Sequence, residues 1–115
     1  MKINEAIAQG EVYIKRIADM PDTEGCKAVE KTAKGYILAH SESGHHHLLT
    51  GGEVLERPVK SEASQRFIAK LTQTEEVIQD ASSPHGKHTL PAGIYDIRIS
   101  REYNPFLEEA RKVAD

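Results

Sequence analysis

At 115 residues the chain has the length of one domain with one modest core. Its 38% hydrophobic and 29% charged residues are ordinary for a globular protein, and with only 5% aromatic residues the packing must rest on Ile, Leu, Val and Ala. Lys and Arg total 15 against 18 acids, a formal charge of −3, so non-specific DNA binding is not expected, although a local basic patch stays open. Cys26 is the only cysteine, which excludes an intrachain disulfide and a multi-cysteine zinc cluster. It reads as an incidental thiol in the loop Glu24-Gly25-Cys26-Lys27. No long apolar run with charged flanks suggests a signal peptide or membrane span, so a cytoplasmic protein is expected.

From the N-terminus, Ile3 to Gln9 suits one or two helical turns, with Asn4 as cap and Gly10 as stop. Glu11 to Ile17 has the content of a strand, closed by the turn Met20-Pro21-Asp22, and a polar loop over 22–34 follows. Gly35 to His40 reads as a buried strand that runs into "HSESGHHH". Leu48-Leu49 extends beyond it, and Glu53-Val54-Leu55 is expected to pair back across Thr50-Gly51-Gly52. After a polar stretch from Pro58 to Gln65, Arg66 to Leu71 alternates as a strand with Phe67, Ala69 and Leu71 on one face. Glu75 to Gln79 suggests another strand, with a helix through this region as the competing reading. Asp80 to Pro84 and Leu90 to Gly93 are turn-like. Ile94 to Ser100 is the clearest strand, placing Tyr95, Ile97 and Ile99 on one face and Asp96 and Arg98 on the other. Asn104-Pro105 then opens a short helix over 104–113. Short strands between Gly/Pro turns predict a single, mainly β domain over 1–115. Its form is a small antiparallel sandwich or barrel, with the terminal helix packed on it.

Four of the six histidines, His40, His45, His46 and His47, fall within eight residues, and His85 and His88 form a second group. Strand alternation puts His45 and His47 on one face and His46 on the other, so the first pair can offer two imidazoles to one ion. The expected metal ligands are His45 and His47 with His85 or His88, and Glu42 is a nearby acid. Zinc, iron, manganese or nickel would suit such a donor set, and a catalytic site would keep one position open. A metal-free alternative uses the histidines as acid and base on a phosphodiester, with Arg98 and Arg101 neutralising phosphate oxygens and Tyr103 donating a phenol. The structural alternatives are a polar turn for the histidines, an Asp96 pair for Arg98, and packing against the last strand for Tyr103. There is no P-loop, Gly-x-Gly-x-x-Gly fingerprint, nucleophile elbow or His-Glu-x-x-His.

Gly44-His45-x-His47, His85-x-x-His88-x-Leu90-Pro91-x-Gly93-x-Tyr95 and Arg101-Glu102-Tyr103 resemble a family of small uncharacterised bacterial and phage proteins. That resemblance spans most of the chain and implies no particular activity. A fainter similarity is to the cupins, metal-binding barrels, through His45-x-His47 and Pro91-Ala92-Gly93, while Asp96 stands where their second motif places histidine. The leading expectation is a divalent-metal protein with a small-molecule or nucleotide ligand, suited to hydrolysis or a lyase reaction. Histidine-dependent phosphate or RNA chemistry and a non-enzymatic accessory interaction protein are the alternatives.

Overall fold

The computed structural model describes residues 1–39, 46–58, 64–79 and 87–100. Within them the chain is all β, in ten strands: β1 (Ala6–Gln9), β2 (Val12–Ile17), β3 (Lys27–Ala28), β4 (Tyr36–Ala39), β5 (His47–Leu49), β6 (Glu53–Glu56), β7 (Ser64–Leu71), β8 (Glu75–Gln79), β9 (His88–Leu90) and β10 (Gly93–Ser100). They form a six-stranded sheet in the order β1-β2-β10-β7-β6-β3 and a four-stranded sheet in the order β4-β5-β8-β9, with every pairing antiparallel. The two sheets do not close into a barrel. The expected terminal helix over 104–113 lies outside the described residues.

Alternation builds the core. In the six-stranded sheet Val12, Ile14, Phe67, Ala69, Tyr95, Ile97 and Ile99 point inward, and Leu49, Val77 and Leu90 meet them from the other sheet. Register places Ile14, Ile97 and Phe67 in one row across three strands. Burying each such side chain is worth roughly 1.5–3 kcal/mol, so these rows pin the register against a one-residue slip. Tyr95 is fully buried, yet its hydroxyl donates to the Pro91 carbonyl at 2.6 Å, which removes the cost of an unpaired polar group.

Three expectations change. Residues 6–9 are not helical: Asn4 has φ 69°, and Gly10, at φ 60°, opens the two-residue turn that pairs Gln9 with Val12. Glycine first in such a turn matches the right-handed twist of a hairpin, so the residue read as a helix stop instead turns the chain from β1 into β2. Residues 53–56 do not pair back on β5; they join β7 and β3 in the other sheet, and Thr50 to Gly52 form a corner between sheets. Gly52, at φ 93°, makes that corner, and its carbonyl accepts the Tyr36 hydroxyl at 2.6 Å. The loop over 22–34 also contributes the short edge strand β3. For residues 75–79 the strand reading holds over the helix.

Candidate functional site around His47

Strand β5 opens with His47, and alternation with Leu49 turns its imidazole into the space between the sheets. A register shift in β4 between Ile37 and Ala39 brings the small Ala39 opposite His47, leaving room for a ring. The side chain is only 4% exposed. A buried imidazole needs partners, and both come from the β1–β2 hairpin of the opposite sheet. Gln9 lies 2.8 Å from Nδ1 through its Oε1, while Glu11 Oε2 lies 3.8 Å from Nε2. Gly10 closes the turn over the ring, where a Cβ would come within 3.3 Å of the imidazole Cε1.

Hydrogen bonding decides the tautomer. Gln9 directs its Nε2 to the Val77 carbonyl at 3.4 Å, so its amide oxygen faces His47 and can only accept. Nδ1 therefore carries the proton. Burial lowers the His47 pKa from its ordinary 6.5, and the nearby Glu11 carboxylate opposes that shift only in part. At neutral pH the ring is thus uncharged and its bare Nε2 lone pair faces a carboxylate. Glu11 is 35% exposed, so the pair is open to solvent from the carboxylate side.

Of the other expected site residues, His88 and Arg98 are among the described residues. His46 and His88 are half-buried. His88 stands opposite Val77, which stands opposite Leu49, so it lies two strands from His47 on the same sheet. That is about 10 Å across the strands, with His47 a further two residues, about 7 Å, along β5 from the position opposite. Arg98 is on the outer face of the six-stranded sheet, 61% exposed and bonded to Asp96 at 3.2 and 3.3 Å, so the fold does not bring it to His47. His40, Glu42, His45, His85, Arg101 and Tyr103 lie outside the described residues. Among the described residues no three His, Cys, Asp or Glu side chains converge as a metal cluster. Two cavities there, of about 290 and 470 Å³, are lined without histidine. Gln9 and Glu11 were not foreseen as partners of His47; the only local signal was a polar residue on each side of Gly10.

This is a two-sheet antiparallel β domain in which a hairpin from one sheet caps a buried histidine of the other. The chain belongs to the family described as a domain of unknown function, DUF8820, whose model matches residues 8–100. No curated protein and no solved structure matches it. Among the described residues no helix is long and apolar enough to cross a membrane.

Proposed function

We propose that the protein binds a divalent transition metal at the cap of the β1–β2 hairpin, with His47 Nε2 and Glu11 as ligands. The observation that carries this reading is His47 Nε2 standing 3.8 Å from the Glu11 carboxylate oxygen, with Nδ1 against the Gln9 amide oxygen. An imidazole nitrogen and a carboxylate oxygen at this separation can share one bound cation. Imidazole and carboxylate together suit zinc, iron, manganese or nickel. A histidine whose second nitrogen donates to an amide oxygen has the orientation and basicity of a metal ligand. Gln9 is in this reading a positioning residue. Solvent reaches the site past Glu11, leaving coordination positions to water or to a small-molecule or nucleotide ligand. A metal held by His47 and Glu11 would lower the pKa of a coordinated water and so would supply hydrolytic chemistry at neutral pH.

The test is calorimetric titration of chelator-treated, untagged protein with zinc, nickel, manganese and ferrous ions. One ion per chain should bind for at least one metal. His47→Ala and Glu11→Ala should each abolish stoichiometric binding, and Gln9→Leu should weaken it about 10- to 100-fold, the effect typical of losing a ligand's outer hydrogen bond. Absence of stoichiometric binding for all four ions, or binding untouched by His47→Ala in a folded variant, would overturn the reading.

A further inference from the structure

The outer face of the six-stranded sheet carries a feature that the metal site does not use. Register aligns Tyr13 of β2, Arg98 of β10 and Arg66 of β7 in one transverse row. Arg57 extends the row beyond β6, since its amide donates to the Arg66 carbonyl at 2.9 Å. Adjacent strands are about 4.8 Å apart, so three arginines occupy neighbouring backbone positions. Like charges opposite one another destabilise a sheet. The carboxylate serving this row is Asp96, whose Oδ2 accepts from both Arg66 and Arg98 at 3.2–3.3 Å while its Oδ1 has no partner. Arg57 has no ion pair among the described residues. Among the described residues, one carboxylate against three guanidiniums leaves two positive charges, and Lys15, opposite Asp96 in the next row, adds a third. Met20, from the segment after β2, lines a cavity together with Leu55 and Ile68, and none of the row's residues lines that cavity. Side chains of Arg98 and Arg66 are 61% and 38% exposed, and Tyr13 is 49% exposed.

We propose that this face binds single-stranded nucleic acid, with Arg57, Arg66 and Arg98 holding phosphates and Tyr13 stacking on a base. The excess cationic charge of the described row suits a polyanion, and an exposed aromatic at the end of the row suits one with unstacked bases. A duplex offers no free base face to Tyr13, and among the described residues this face carries no helix to enter a groove. The proposal is independent of the metal site, which lies on the other side of the sheet, so chelation should leave it unchanged.

Fluorescence anisotropy of labelled 12-nucleotide oligo(U) and oligo(dT) with the full chain tests it, with a 12-base-pair duplex and an oligoglutamate peptide as comparisons. Single strands should bind best. Three phosphate contacts predict a slope of about −2 in log K against log salt, a loss of roughly 20-fold between 50 and 200 mM. Arg57→Ala should reduce that slope by about 0.7, and Tyr13→Ala should weaken binding roughly 5- to 150-fold. Both positions lie outside the core, and thermal melts check that the variants fold. No binding at low salt would overturn the proposal. So would tighter binding of the duplex or of oligoglutamate, or single-strand binding that both variants leave unchanged.

Discussion

At the scale of single residues, Gln9 ties the two sheets together, because its amide bonds at once to His47 on β5 and to the Val77 carbonyl on β8. Both partners are buried, and an unpaired buried polar group costs about 1–3 kcal/mol, so the bridge holds the hairpin against the second sheet. The same burial makes stability depend on pH. His47 titrates below 6.5 in the folded chain and near 6.5 when unfolded, so on acidification the unfolded state takes up the proton first. Urea denaturation of chelator-treated protein should therefore show full stability above about pH 7 and a decline as pH falls below 6.5. His47→Leu should flatten that part of the profile; an unchanged slope in this variant would assign the decline to other groups. The inward direction of His47 was legible in its alternation with Leu49. Its partners were not, because Gln9 and Glu11 reach it across the space between sheets, and no periodicity within either segment encodes that contact.

Among elements, the Thr50 to Gly52 corner decides which sheet the chain joins next. Gly52 adopts φ 93°, and a Cβ there would stand 2.4 Å from Leu71 Cδ2 and 2.8 Å from the Lys70 carbonyl. Gly52→Ala should destabilise the fold by about 1–3 kcal/mol, read as a lower urea midpoint with little change in the denaturant slope. This corner also explains what the sequence could reveal about the fold. Strands β2, β7 and β10 were visible because β-branched and aromatic residues alternate along them, and β8 because a short apolar pair sits between turns. The partner of β6 was hidden: Gly51-Gly52 is equally consistent with a hairpin and with a crossing between sheets, and only the distant strand β7 distinguishes them. Strand β1 was hidden for a different reason. Asn4 and Gly10 take positive φ at either end of it, and the same residue types cap and stop helices.

For the molecule as a whole, cohesion is uneven. Strand β10 is hydrogen-bonded on both sides and presents three fully buried side chains, whereas β3 is a two-residue, exposed edge strand. Amide hydrogen exchange should be slowest at Tyr95, Ile97 and Ile99 and orders of magnitude faster at Lys27 and Ala28; equal protection would contradict this layout. The position of β10 has a consequence for synthesis. It is the last strand of the described fold to leave the ribosome, yet it fills the gap between β2 and β7, which are separated by more than 40 residues of chain. Until it emerges, the earlier strands have no centre to assemble on, and β2 and β7 each hold an unsatisfied edge beside an apolar face. The nascent chain thus carries two adhesive edges for as long as translation takes to cover residues 72–100, and a pause there would prolong its exposure to chaperones or to other copies of itself.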